Sequence, residues 1–200
     1  MGKVTNVISM ILRRTLWRHA LLAVSAVAGC AAASPSVDAD GRSPVFWVYH
    51  DGVFAWPGDY SYVATPDYRD TSGVPLSGKY DVKVTVTSQW GGWQPFATNW
   101  DFDTKPYKYL RFALKPTRPN QTAQVYFMLV GDKPVGKTVD VFKYGPAPVV
   151  GQWNLYTIPL ADIGVSKTNI YKFAIQDQTG LANNIFYVDD VAFVGDVASP

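Results

Sequence analysis

The stretch YDVKVTVT at residues 80–87 decides the fold class, because apolar and polar side chains alternate strictly along it. Tyr80, Val82, Val84 and Val86 fall on one face, and the polar residues between them fall on the other. A period of two is the pattern of a half-buried β-strand. The stretch therefore predicts a strand with one face in a core.

Similar apolar stretches recur on both sides of this strand. The further candidate strands are residues 45–49, 109–114, 124–130, 139–141, 153–158, 171–175 and 185–194. Gly, Pro, Asn and Asp separate them, and residues 160–163 form at most one helical turn. Eight to ten short strands with turn residues between them predict an all-β jelly-roll β-sandwich.

Charge and cysteine content exclude several classes of protein. The chain has 200 residues, a net charge of +2 and one cysteine, which rules out an internal disulfide framework and a cysteine-based zinc site. Lys and Arg form no stripe, so a nucleic-acid partner is not expected. The basic residues Lys3, Arg13, Arg14 and Arg18 lie in residues 1–30, which hold no acidic residue, and the remainder is slightly acidic.

The N-terminal residues 1–29 have the pattern of a secretory signal peptide. Basic residues precede an apolar run at Ala20–Gly29, which is too short to span a membrane. The run ends at Cys30 and resembles the bacterial lipobox, which implies that Cys30 becomes the lipidated first residue. The alternative is ordinary signal peptidase cleavage after Ala33, which discards Cys30.

This pattern predicts a domain organisation and a location. We expect a flexible lipidated tether at residues 30–43, a jelly-roll domain at residues 44–196 and a short tail at residues 197–200. The chain is then secreted and lipid-anchored to the bacterial cell envelope, at the outer membrane. The lipid is its one expected contact with a membrane.

Six short motifs follow one another along the predicted strands. They are VYHDG at 48–52, GKYDVKV at 78–84, YLRF at 109–112, GQW at 151–153 with TIPL at 157–160, IQD at 175–177 and FYVDDV at 186–191. In this order they resemble the β-jelly-roll carbohydrate-binding modules of bacterial secreted proteins, over residues 45–195. The resemblance implies a galactose-binding-like jelly roll that binds a polysaccharide, often with a structural calcium ion.

Sugar recognition combines flat aromatic rings, which cover the apolar C–H face, with planar polar groups that bond the hydroxyls. The candidate aromatic residues are Trp56, Tyr60, Trp90, Trp93 and Trp100, of which Trp56, Trp90 and Trp93 are the expected stacking residues. The candidate hydrogen-bonding residues are Gln124, Tyr126 and Gln176. The alternative for each tryptophan is a place in the core, which is the expectation for Trp153.

Asp51 and Asp189 are the candidate calcium ligands. Asp51 follows the first strand and Asp189 lies in the last strand. These two strands can be neighbours in a jelly roll. Parity places Asp189 on the face of Val191 and Phe193, where a buried carboxylate needs a cation or hydrogen bonds. The alternative is that backbone N–H groups or Lys79 satisfy both carboxylates.

Catalysis has little support, because His50 is the only histidine after the signal peptide and no G-x-S-x-G motif occurs. The sequence therefore predicts a non-catalytic module, tethered to the cell envelope, that binds a polysaccharide or glycan. The alternatives are a protein–protein or envelope structural module without sugar binding and, third, a glycan-active enzyme.

Overall fold

The computed structural model describes residues 43–196, which fold almost entirely into β-strands. Strands β1 to β15 are, in chain order, Val45–His50, Val53–Phe54, Gly58–Asp59, Ala64–Asp70, Asp81–Val86, Gly92–Trp93, Pro95–Phe96, Phe102–Asp103, Tyr109–Pro116, Ala123–Leu129, Lys133–Asp140, Asn154–Pro159, Asn169–Ile170, Lys172–Asp177 and Asn184–Val194. A 3-10 turn covers Val141–Lys143, and helix α1 covers Leu160–Ile163 as predicted. Across this range, no helix has the length and apolarity needed to cross a membrane.

Two antiparallel sheets make up the sandwich. The seven-stranded sheet has the order β12-β9-β15-β1-β2, with β5 on β15 and β4 on β5. The six-stranded sheet has the order β11-β10-β14-β7-β3, with β6 also on β14, and β8 pairs with β13 in a separate small ladder. The predicted all-β jelly-roll sandwich is confirmed.

The core lies between the two sheets. Phe193 of the seven-stranded sheet contacts Phe173 and Phe127 of the six-stranded sheet, with ring centroids 6.0 and 6.3 Å apart. Val82 and Val84, on the apolar face of the opening stretch, are fully buried in this cluster. Each such side chain stabilises the fold by about 1.5–3 kcal/mol relative to an exposed one.

A β-bulge interrupts the last strand and changes which side chains face the core. Asp190 has a φ of +50°, and the register of β15 against β9 shifts between Asp189 and Ala192. Asp189 therefore pairs with Ala113 on the outer face of the seven-stranded sheet, whereas Phe193 faces the core. The predicted burial of Asp189 is confirmed, but the predicted face is wrong because alternation does not continue through a bulge.

The loop at residues 71–78, which we call the strap, covers this part of the outer face. Its Val74 carbonyl oxygen accepts hydrogen bonds from Trp153 Nε1 at 2.9 Å and from Lys115 Nζ at 3.3 Å. Asp189 lies beneath the strap and bonds its backbone. The prediction that Trp153 belongs to the core is wrong, because Trp153 lies on the outer face and holds the strap.

Candidate functional site

The outer surface of the six-stranded sheet, which we call the open face, is built from alternate residues of β10 and β14. Val125 and Phe127 point into the core, so the residues between them point outward. Strand register sets the outward residues opposite one another as three pairs: Gln124 and Gln176, Tyr126 and Ala174, Met128 and Lys172. Planar polar groups thus line one end of this face.

Hydrogen bonds join the polar side chains of the open face to one another. Gln176 Nε2 donates to the Trp90 carbonyl oxygen at 2.8 Å and to the Tyr62 hydroxyl. Gln124 Nε2 donates to Gln176 Oε1, and the Tyr126 hydroxyl donates to that of Tyr62 at 3.0 Å. Because each side chain fixes its neighbour, the remaining donors and acceptors have set directions.

Tyr62 is a member of this network that the sequence did not identify. It lies outside the named strands, in an isolated bridge to Gly92, so no periodic pattern marks it. Burial raises the pKa of Tyr62, and its hydrogen bond with Tyr126 adds to the rise. Burial likewise raises the pKa of Tyr126. Both hydroxyls are therefore neutral donors and acceptors at physiological pH.

Two exposed tryptophans stand at opposite ends of β14. Trp90, 47% exposed, is bonded through its carbonyl to Gln176, and Trp100, 52% exposed, stacks on Tyr171 with centroids 5.3 Å apart and 13° between planes. Gln176 and Tyr171 are five strand steps apart, or about 17 Å. Trp90 and Trp100 therefore lie at opposite ends of the open face.

Both tryptophans also have left-handed backbone conformations, with φ of +64° at Trp90 and +63° at Trp100. This region is strained for a bulky side chain and persists only where surrounding contacts impose it. Such strain concentrates at binding sites, where it sets the direction of a side chain. Trp90 and Trp100 are two of ten non-glycine residues with positive φ among residues 43–196.

A second group of rings lies beside Trp100. Tyr60 stacks on Phe96 at 4.6 Å, and Phe96 packs against Tyr171 at 5.3 Å. Gly58 makes this arrangement possible, because a Cβ at that position would lie 1.9 Å from the Phe96 ring. Tyr60 is about half exposed and widens the aromatic end of the open face.

Two shallow grooves follow the open face. The first, of about 270 Å³, runs between β11 and the side chains of Gln124, Tyr126 and Gln176. The second, of about 290 Å³, includes Trp100 and Tyr171. The two grooves share no lining residue, and the first lies at the polar end of the face whereas the second lies at the aromatic end.

The structure separates the predicted sugar-binding residues into two groups. Those on the open face are Tyr60, Trp90, Trp100, Gln124, Tyr126 and Gln176. Trp56 and Trp93 are 2% and 0% exposed, so the prediction that they stack on a sugar is wrong. Trp93 packs edge-on against Phe173 and donates from Nε1 to the Tyr68 hydroxyl at 3.1 Å, as a core residue does.

The predicted calcium ligands already have other partners. Asp51 Oδ1 accepts from the backbone N–H groups of Lys79 at 2.5 Å and Tyr80 at 3.0 Å, which lower its pKa. Asp189 Oδ2 accepts from the backbone of Leu76 at 3.0 Å and Ser77 at 3.2 Å.

Asp51 directly follows β1 and Asp189 lies in β15, and these two strands are neighbours as expected. However, residues 43–196 contain no group of three Asp, Glu, His or Cys side chains able to hold a metal ion. The calcium site at Asp51 and Asp189 therefore stays a prediction. Their geometry matches the alternative, in which backbone N–H groups satisfy both carboxylates.

The predicted signal peptide at residues 1–29, the lipidated Cys30 and most of the tether lie outside the described residues. The geometry of the domain therefore does not bear on these predictions.

Comparison with known proteins identifies the family. A family model described as carbohydrate binding domain 30 matches residues 48–195. A search of curated proteins gives no match.

Several solved structures share the fold. A family 30 carbohydrate-binding module is 13% identical, with a TM-score of 0.57 over 78% of this chain and 90% of that one. The family 30 module of a cellulosomal cellulase of Clostridium thermocellum is 14% identical, with a TM-score of 0.52 over 76% and 98%. A family 29 module variant complexed with cellulohexaose is 13% identical, with a TM-score of 0.55 over 80% and 99%.

The family match covers most of the chain and agrees with a sandwich that has one open, aromatic-rich face. The chain belongs to the carbohydrate binding domain 30 family, and its jelly-roll domain is a non-catalytic carbohydrate-binding module.

Proposed function

We propose that the open face binds a single chain of a neutral polysaccharide, extending from Trp90 to Trp100. The observation that carries this proposal is the pair of exposed tryptophans, both in strained left-handed backbone, at the two ends of a row of amide and hydroxyl groups. The class of ligand to test first is a β-1,4-linked glucan, because a structural neighbour is described with cellulohexaose.

The open face combines the two interactions that a sugar chain requires. The indoles of Trp90 and Trp100 cover the apolar C–H faces of two sugar rings. Between them, Gln124, Gln176 and Tyr126 exchange hydrogen bonds with hydroxyl groups. Because these side chains already hold one another, ordering them on binding costs little conformational entropy.

The proposal includes binding without cleavage, by the whole protein as well as by the domain. A carbohydrate hydrolase needs an acid and a second carboxylate at a set separation across the scissile bond. The amides and phenols at the centre of the open face supply neither. Incubation with cellohexaose should release no shorter product, and release of one would support the glycan-active enzyme instead.

Titration calorimetry with cellohexaose tests the site. We expect Trp90→Ala and Trp100→Ala each to weaken binding by about tenfold, the loss of one ring contact. The matched control is Trp47→Ala, which removes a partly exposed tryptophan from the seven-stranded sheet. Normal binding by both open-face variants would exclude this site, and a glycan screen with no ligand at all would favour the protein–protein alternative.

We also propose that Cys30 anchors the module to the bacterial cell envelope through a lipid. The support is in the sequence, where the single cysteine directly follows the apolar run of a signal peptide. Labelled fatty acid should be incorporated by the wild type and not by Cys30→Ser. A mature chain that begins after Ala33 would instead show ordinary cleavage.

A further inference from the structure

A buried cation lies on the open face, next to the aromatic end of the proposed site. Lys172 points outward from β14, opposite Met128 on one side and Phe96 on the other. Its side chain is only 4% exposed, and Nζ lies 4.7 Å from the centre of the Tyr60 ring. A charge held among rings and a thioether needs an anion close by.

Asp132 supplies that anion. Lys172 Nζ lies 2.5 Å from Asp132 Oδ1, the one carboxylate within ion-pair distance of it among residues 43–196. The Asp132 side chain is 70% exposed. The pair is thus asymmetric, because its cation is buried in the sheet surface while most of its carboxylate remains in water.

Asp132 also lies where a ligand would pass. It belongs to the turn between β10 and β11 and has a φ of +59°. Met128 and Pro134 line the first groove on either side of this turn, and Val130 and Lys133 line the second. Asp132 itself lines neither groove, but its turn lies between the two, so a sugar chain that occupies both grooves passes this turn.

We propose that Asp132 makes this site select neutral over acidic glycans, by occupying the place on Lys172 that a sugar carboxylate would otherwise take. The inference rests on the proposed function of the open face. A neutral sugar carries no charge, so the exposed carboxylate of Asp132 does not repel it. A uronate instead places a second negative charge beside the Asp132 carboxylate, and the repulsion between the two weakens binding.

The other cations beside the grooves do not replace Lys172 in this role. Lys133 and Lys137 are exposed, so water and salt screen their attraction for an acidic sugar. Lys172 is screened far less because it is buried. Removal of the Asp132 charge should therefore expose a strong carboxylate site rather than a weak one.

Two hexamers with the same linkage test the inference, cellohexaose and a β-1,4-linked glucuronate hexamer. We expect the wild type to bind cellohexaose at least tenfold more tightly. Asp132→Asn should raise uronate affinity by about tenfold or more, with a gain that shrinks as salt is added, and leave cellohexaose affinity within about threefold. The matched control is Asp101→Asn, which removes a second-groove carboxylate bonded to Asn169, and it should give no gain.

A second comparison avoids an unpaired buried cation, which could prevent Asp132→Asn from folding. Lys172→Met and the double variant Lys172→Met/Asp132→Asn both lack the buried charge and differ only at Asp132. The uronate hexamer should bind several-fold more tightly to the double variant. Equal uronate binding by these two variants would overturn the claim that the Asp132 charge repels a uronate.

The two proposals fail in different ways. If the wild type does not bind cellohexaose, the proposed function fails. If it binds cellohexaose while removal of the Asp132 charge leaves the ratio of uronate to cellohexaose affinity unchanged, only the selectivity inference fails.

Discussion

Trp90 and Trp93 lie three residues apart in the sequence, yet one faces solvent and the other fills the core. An alternating strand pattern could not separate them, because Trp90 lies in a loop and Trp93 lies in a strand of only two residues. Where the period is long enough, as at residues 81–86, the buried face was predicted correctly. Side-chain direction in loops depends on tertiary contacts that no short pattern contains.

Substitution should separate the two tryptophans clearly. We expect Trp93→Ala to lower the free energy of unfolding by about 3–5 kcal/mol, because it leaves a cavity in the aromatic core. Trp90→Ala should change it by less than about 1 kcal/mol. Urea denaturation measures both, and similar losses in the two variants would contradict the assignment of Trp90 to the binding surface.

Asp81 is an ionisable residue whose surroundings favour its neutral form. It is fully buried, neither carboxylate oxygen has a hydrogen-bond partner, and it lies directly opposite Asp70 in the ladder. Burial raises the pKa of Asp81 from 3.8 to about 7, with the charge of Asp70 adding to the rise and Lys115 opposing it. The folded chain therefore keeps a proton that the unfolded chain releases.

This difference predicts how stability depends on pH. Between about pH 4 and pH 7 only the folded state holds the proton, so the free energy of unfolding should fall as pH rises through this window and level off above it. Urea denaturation at pH 5 and pH 8 should show a fall of about 1–3 kcal/mol. Asp81→Asn should have a smaller fall, and an unchanged pH dependence in this variant would assign the effect elsewhere.

At the scale of elements, the deviations from prediction come from breaks in strand alternation. The bulge at Asp190 places Asp189 on the opposite face from Phe193, and the sequence gives no sign of an extra residue. In β12, Leu155 is half exposed while Tyr156 and Ile158 are buried, so an apolar residue alone does not define the inner face. Strand positions were predictable because their composition is distinctive, but register depends on the partner strand.

The pairing of β3 with β7 determines the shape of the aromatic end of the site. Gly58→Ala places a methyl group where the Phe96 ring lies. We expect the ring to move, which costs about 1–3 kcal/mol of stability and disturbs its stack with Tyr60. Because Tyr60 belongs to the proposed site, the disturbed stack should also lower the affinity for cellohexaose. Gly151→Asn is a suitable control, because its Cβ meets no atom within 4 Å and Asn tolerates the positive φ, and a similar affinity loss in both variants would argue against this role of Gly58.

At the scale of the whole domain, the two sheets differ in what covers their outer surfaces. The seven-stranded sheet is covered in part by the strap, and its carboxylates Asp51 and Asp189 bond backbone N–H groups. The six-stranded sheet carries the open face. The fold class was predictable from strand content and turn residues, whereas the choice of binding face required the register and the burial of each tryptophan.

Chelation tests the whole domain for a structural metal. Because Asp51 and Asp189 have backbone donors as partners, we expect EDTA to leave the melting temperature unchanged. Elemental analysis of the purified protein is the control. A bound metal ion together with a lower melting temperature in EDTA would support the calcium prediction.

The spacing of Trp90 and Trp100 also has a consequence for ligand length. The Trp90 carbonyl bonds Gln176 of β14, and the Trp100 ring stacks on Tyr171, the residue before β14. A paired strand in the middle of a sheet cannot stretch to suit a shorter molecule. A cello-oligosaccharide too short to reach both indoles can use only one. Affinity should therefore increase stepwise along a series from cellobiose to cellohexaose and reach a plateau at the first length that spans the strand. The domain would thus discriminate between oligosaccharides by their length.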